Sequence, residues 1–261
     1  MNGFVLFFKK EIIELIKTVK GIVLAVIFLV LGISSPLLTK LTPEIVKMAL
    51  ADAAPEEAEV MTALISNPDS KASYEQFFGN FNTIGLLAVI IVFAGIVANE
   101  KSRNTAAYVL TKNISRVQFI LSKFISSVVF VFVSLVLAMG TQILYTNFLF
   151  DDNFTDIKYV LLFFTLLFLY LIFMLTIVLF SSVLTKTVTS ATFLAFLIFI
   201  AFNILGSIPK IGKYMPPDIN NFGIITQAKN ISDLTVNIVI TVICSVIFVF
   251  SSVKIFNRQE L

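Results

Sequence analysis

Six long apolar stretches, at about 21–39, 77–98, 119–147, 159–183, 188–206 and 234–253, constrain this chain more than any other feature. Most approach or exceed the roughly 20 residues a helix needs to cross a bilayer. In hydrocarbon each backbone N–H and C=O must be satisfied internally, so the stretches are predicted to be helices. The expected fold class is therefore an all-α membrane protein, with residues 1–261 forming one transmembrane domain. Composition agrees: 58% of the residues are apolar and 13% are charged, about half the charged share of a soluble domain.

The segments between the stretches carry the polar information. Phe4, Phe8, Ile12, Leu15 and Val19 recur at three- and four-residue steps, with Lys10, Glu14 and Lys17 roughly opposite. That pattern predicts an interfacial elbow helix within residues 1–20. The stretch at 21–39 is too long for the apolar region of a signal peptide and is expected to be a retained span. The segments 40–76 and 207–232 are expected outside the membrane on the far side. In the first, Thr42 and Pro43 read as a helix start, and Pro55 before Glu56, Glu57 and Glu59 as another. Ser73 with Gln76 reads as a capping box. Pro209, Pro216 and Pro217 break the second segment.

Charge sets the expected orientation. Residues 1–20, 99–123, 184–187 and 254–261 together hold twelve Lys/Arg against four Asp/Glu, a net of +8, while the rest of the chain nets −5. Lys and Arg accumulate on the cytoplasmic side, so both termini are expected there. The total of +3, divided between two faces, gives no basis for binding nucleic acid.

Several chemistries are excluded. The chain has no His, and its one Cys, Cys244, lies within the last apolar stretch, where a buried thiol is expected. No zinc-protease, nucleophile-elbow or phosphate-loop motif occurs. Catalytic, metal and cofactor-binding residues are thus expected to be absent from this chain. The apolar cores, counted from Phe124 in the third stretch, hold no Asp, Glu, Lys or Arg, which argues against ion-coupled transport. Ser and Thr are expected to bond between helices. The Phe side chains of the fourth and fifth stretches, Phe163 and Phe173 among them, are expected mostly to face lipid.

The basic stretch Asn99–Arg116 joins the second and third spans. Lys101, Arg103, Lys112 and Arg116 oppose a single Glu100. Within it, Thr105–Thr111 reads as a short helix, with Ala106, Tyr108, Val109 and Leu110 as candidate docking residues. It reads either as an anchor fixing topology or as a lever for a cytosolic partner.

Taken together, the chain resembles the permease subunits of ABC-2 type transporters. The resemblance rests on the KKE-type N-terminal helix, a first span ending in Ser-Ser-Pro, the basic loop, and a proline-broken outer segment before the last span. Within the loop, Glu100, Thr105, Val109-Leu110, Ser115-Arg116 and Lys123 fall at the family's motif positions. Asn104 stands where Gly is usual, as Asn also accepts left-handed backbone geometry; Asn113 replaces Pro and Ser122 replaces Gly. The resemblance implies a bacterial plasma-membrane exporter subunit, similar to exporters of peptides such as phenol-soluble modulins, or of antibiotics. It implies a homodimer, membrane lipid around it, and an amphipathic or hydrophobic substrate. ATP and Mg would be bound by a separate cytosolic ABC ATPase. Glu100, Arg103, Asn104, Thr105, Tyr108 and Arg116 would couple to that ATPase, together with the elbow residues Phe4, Phe8, Lys10, Ile12, Glu14 and Lys17. The alternative is a scaffold or sensory subunit that docks a partner and transports nothing.

Overall fold

A computed structural model describes residues 3–49, 68–111, 114–151, 157–220 and 231–259. Among them the chain is helical, with six helical stretches long and apolar enough to cross a membrane. Helix α1 (Gly3–Lys17) turns at Thr18 into α2 (Val19–Ala49), the first span. Gly21 makes the turn possible, because a Cβ there would lie 1.8 Å from the Leu15 carbonyl oxygen. The second span is built from α3 (Ser70–Asn80), a π-helical turn (Phe81–Gly85), α4 (Leu86–Phe93) and α5 (Gly95–Ser102). The short α6 (Thr105–Leu110) follows. The remaining spans are α7 (Arg116–Leu149), α8 (Ile157–Leu184), α9 (Val188–Gly206) and α10 (Ile231–Arg258).

Several boundaries differ from expectation. The first span does not stop near Thr39, and Thr42-Pro43 starts no helix: α2 runs through both Pro36 and Pro43 to Ala49. Hydroxyls of Ser35, Thr39 and Thr42 donate to carbonyls one turn back, and such groups let prolines persist inside membrane helices. The helix expected after Pro55 lies outside the described residues. Asp69, not a Ser73–Gln76 box, caps α3 by accepting from the Ala72 amide at 2.7 Å. Ser73 is buried and bonded across to the third span instead. Pro216 and Pro217 belong to a 3-10 turn, Pro216–Asn220, that packs Ile219 into the core.

Helix α8 occupies the centre. Leu171, Phe173, Met174, Ile177 and Val178 are buried, whereas α9 buries Ala191 and Ala195. Phe163 and Phe173 therefore pack inside the protein and do not face lipid. The fifth span fits the lipid-facing reading, with Phe193 64% exposed. Cys244 is half-buried against the core, not enclosed. Most hydroxyls in the spans bond back within their own helix, as do Ser126, Thr176, Ser181, Thr241 and Ser252. Ser182 is an exception: its Oγ accepts from the amides of Val97 and Ala98 at 3.0 and 2.9 Å. It supplies the cap that α5 lacks locally where the second span breaks at Ala94.

The described parts of the four segments grouped by charge in the sequence meet at one end of the bundle. There α1 packs against α7, Lys10 approaches Glu100, and Gln259 reaches Val183. The opposite end joins Lys40 to the Leu149 carbonyl and Asn237 to the Met215 carbonyl.

Candidate functional site

At the charged end, α1, α5 and α7 converge on Lys123. This side chain is 4% exposed, and its ammonium donates to Glu11 Oε2 at 2.9 Å and Glu100 Oε1 at 2.7 Å. Lys10 closes the figure, 3.0 Å from Glu11 Oε1 and 3.8 Å from Glu100 Oε1. Four groups of alternating sign thus form a ring, in which each charge has two neighbours of opposite sign. Glu14 extends it outward with a 2.6 Å bond to Lys10.

Local sequence explains the convergence. Phe7 and Glu11 are one turn apart on α1, and both are buried against the protein. Phe7 stacks on Phe119, and Phe119 on Phe256, at 5.5 and 5.3 Å between ring centres. Lys123 Nζ lies 5.8 and 5.3 Å from the centres of the Phe7 and Phe119 rings. Apolar rings thus wall off the ammonium, which excludes water and strengthens the ion pairs. A group so enclosed tolerates no missing partner: breaking a buried ion pair on one side costs about 3–5 kcal/mol.

Burial opposes the charge on Lys10. The hydrogen bond to Glu14 and the carboxylates of Glu11 and Glu100 outweigh that and hold its pKa above the ordinary lysine value. Burial would likewise raise Glu14, but the bond from Lys10 and the charges of Lys10 and Lys123 hold its carboxyl below the ordinary range. The outer edge of the ring is therefore ionised at neutral pH.

The loop leaves this ring in a defined shape. Arg103 ends α5, and Asn104 takes φ 55°, ψ 16°, the left-handed conformation expected where Gly is usual. Asn104 is the position before α6, and no side-chain bond caps that helix. Thr105 is the first residue of α6 and does not cap it; its hydroxyl donates to the Glu100 carbonyl at 3.2 Å. Ala106 is buried, Val109 and Leu110 pack half-buried against the core containing Phe7 and Phe119, and Tyr108 is 65% exposed. Of the expected docking residues, Tyr108 lies outward and Ala106 inward. Asn113 lies outside the described residues.

Three further contacts tie this end together. Arg116 Nη1 donates to the carbonyls of Phe256, Asn257 and Gln259 at 3.1, 2.9 and 2.7 Å, gathering the unsatisfied C-terminal end of α10. Lys101 Nζ and Gln259 Nε2 both donate to the Val183 carbonyl, at 2.6 and 3.0 Å. Lys101 is thus half-buried. The ring also gathers residues that the sequence pattern kept apart. Lys10 belongs to it and Glu14 extends it, Phe4 and Phe8 stack on each other at 6.4 Å, Ile12 is half-buried, and Lys17 is exposed.

The sequence shows Glu11 only as the acid of the KKE pattern, and Lys123 only as a motif match, without the partners of either. The signal available was a lone Lys at the border of an apolar stretch, since an ionisable group there requires an opposite charge.

The arrangement defines a helical membrane protein whose loop between the second and third spans is locked to an N-terminal surface helix. Residues 6–234 match the family described as ABC-2 family transporter protein. The chain belongs to that family. It is also 27% identical over 152 residues to the uncharacterized transmembrane protein YxlG of Bacillus subtilis (strain 168). That match covers 55% of this chain and 54% of the relative, so the chain spans about half the length of the curated relative it matches.

Proposed function

We propose that this chain is the membrane half of an ATP-driven exporter in a bacterial plasma membrane. Two copies form the path for an amphipathic or hydrophobic substrate such as a peptide, with both termini in the cytosol. Each copy rests on an ATPase subunit that binds ATP and Mg. The ring of Lys10, Glu11, Lys123 and Glu100 carries this reading. It joins the elbow helix α1, the root of the loop and the third span into one body. Force applied to α6 would thus reach the spans as a rigid-body displacement and would not be lost in a flexible connection. Arg103 and Tyr108 present outward surface for the partner. Glu100 acts from the inside, through Lys123, with Asn104 and Thr105 shaping the turn and Arg116 holding the last helix to the third span. The apolar, charge-free interior beyond Phe124 offers contacts to an amphipathic substrate and no ion ligands.

The test is co-purification with the partner ATPase, followed by ATP turnover with and without amphipathic peptides. Replacing Arg103 and Tyr108 by Ala is expected to leave folding intact while abolishing peptide-stimulated turnover. Unchanged stimulation and export would leave the loop as a topological anchor. A complex whose turnover never responds to substrate would favour the scaffold or sensory reading. Single cysteines at Asp152 and Lys186, in a Cys244→Ala background, are expected to label from opposite sides of the membrane.

A further inference from the structure

A cleft of about 390 Å³ opens at the charged end, beside α6 and apart from the ion ring. Lys101, Ser102, Asn104, Lys186 and Gln259 line it, with apolar wall from Ala106 and its neighbours. Lys101 and Lys186 both line this cleft, close enough for their like charges to oppose each other. No described residue lining it is acidic. Glu100, adjacent in sequence to Lys101, is turned away into the bond with Lys123. Lys101 has three N–H groups and gives one to the Val183 carbonyl. That bond fixes its position and leaves donors for a further acceptor. A preformed concavity holding two like charges, with no counter-charge among the described residues, is completed by an anion.

The position of the cleft narrows the choice. Lys186 is exposed in the tight turn between the fourth and fifth spans, and Leu184, which lines the cleft where the fourth span ends, is 41% exposed. The cleft thus lies where apolar helix gives way to polar chain, the depth at which lipid phosphates sit. Basic pockets between membrane helices at that depth bind headgroups. We propose that this cleft binds the phosphate of an anionic phospholipid, with Lys101 and Lys186 as its cationic ligands. Tetrahedral phosphate oxygens accept from both ammoniums at once, while Leu184 and Ala107 offer apolar contact to the glycerol backbone. The bound phosphate relieves the repulsion between the two lysines and ties the root of the coupling loop to the turn after the fourth span. This proposal is independent of what the protein transports.

The test uses the full chain in phosphatidylcholine nanodiscs with and without phosphatidylglycerol, read by retained lipid in native mass spectrometry and by thermal unfolding. Phosphatidylglycerol is expected to be retained over phosphatidylcholine and to raise the melting temperature. Lys186→Gln is expected to lower retention about fivefold, the effect of one surface lysine at a membrane, while Lys186→Arg preserves it. Lys9→Gln, which removes an exposed charge from α1 at the same end, controls for general attraction and is expected to change little. Equal losses in Lys9→Gln and Lys186→Gln, or no preference for phosphatidylglycerol, would overturn the site. Inorganic phosphate stabilising the chain as strongly as the lipid, at matched ionic strength, would keep the anion site but overturn the lipid as its source. If Lys186→Gln weakens binding of the ATPase while lipid retention is unchanged, the anion is an acidic side chain of that partner and the lipid proposal fails.

Discussion

The second span is tied to the third at both ends, by opposite kinds of chemistry. At the charged end, Glu100 meets Lys123 inside a closed ring of ions. At the other end, Ser73 shares a 3.1 Å bond with Thr146, and Gln142 Nε2 donates to the Ser73 carbonyl, Ser73 Oγ and Thr146 Oγ1. Nearby, Asn80 donates to Ser35 at 3.0 Å and draws in the first span. Both clusters are buried and both fix the register of the same two helices. They differ in what happens when one member is lost. Neutral groups re-pair among themselves, and a bond between membrane helices averages only about 0.6 kcal/mol. A buried charge without its partner has no such recourse. The neutral end is thus suited to a fixed pivot, and the ionic end to a link that is either made or broken as a unit.

The sharpest way to break this contrast is Lys123→Met, which leaves Glu11 and Glu100 with only the half-exposed Lys10 as counter-charge. A loss of about 3–5 kcal/mol is expected, visible as a collapse in folded yield and melting temperature in detergent. Adding Glu11→Gln and Glu100→Gln to that variant should recover much of the loss, since neutral groups do not repel. A single variant as stable as the parent would show that the ring carries no weight.

Arg116→Ala comes next. Three carbonyls at the end of α10 lose their cation, and hydrogen bonds to charged groups contribute about 1.5–3 kcal/mol. The expected outcome is faster proteolysis of the C-terminal tail with the spans intact, and Arg116→Lys should restore only part of the protection, lacking the fork of donors.

At the neutral end, Gln142→Leu should cost about 1 kcal/mol, because Ser73 and Thr146 remain bonded to each other. A loss as large as that of Lys123→Met would erase the distinction between the two ends.

The smallest effect concerns the rim of the ring. Glu14 is held below its ordinary pKa, so its contribution is present above its unfolded value and is lost as pH falls through the folded one. Lys10 is held above its ordinary value, so its contribution is present below the unfolded value and fades only as pH rises through the folded one. Both side chains are about half exposed, and solvent weakens the pair. Melting curves of Glu14→Gln should lose a few tenths of a kcal/mol at neutral pH, and the difference from the parent should vanish in acid.

The existence and order of the six spans follow from apolar length alone, because hydrocarbon leaves a chain no other way to satisfy its backbone. The left-handed turn at Asn104 was likewise readable, since few residues without a glycine's freedom accept that geometry. The start of α3 was misplaced because Asp69 and Ser73 are both competent caps, and burial of Ser73 against Thr146 decided between them. The first span was cut short at its prolines because sequence does not show which hydroxyls will satisfy the backbone around them. The burial of Glu11 was not readable because amphipathic spacing sorts residues by polarity, and a buried acid looks the same as a solvated one until its partner is known.

By itself, then, the sequence determined a membrane-crossing helical chain, the grouping of its charges into two sets, and the basic loop between the second and third spans. Only the tertiary structure decided that Lys123 is shared by Glu11 and Glu100, that the central α8 buries Phe163 and Phe173, and that Arg116 turns to the last helix. The division has one physical reason. Crossing a bilayer is a property of each segment and its solvent, whereas an ion pair between residues 112 positions apart in the chain, as Glu11 and Lys123 are, exists only once packing has chosen which helix faces meet.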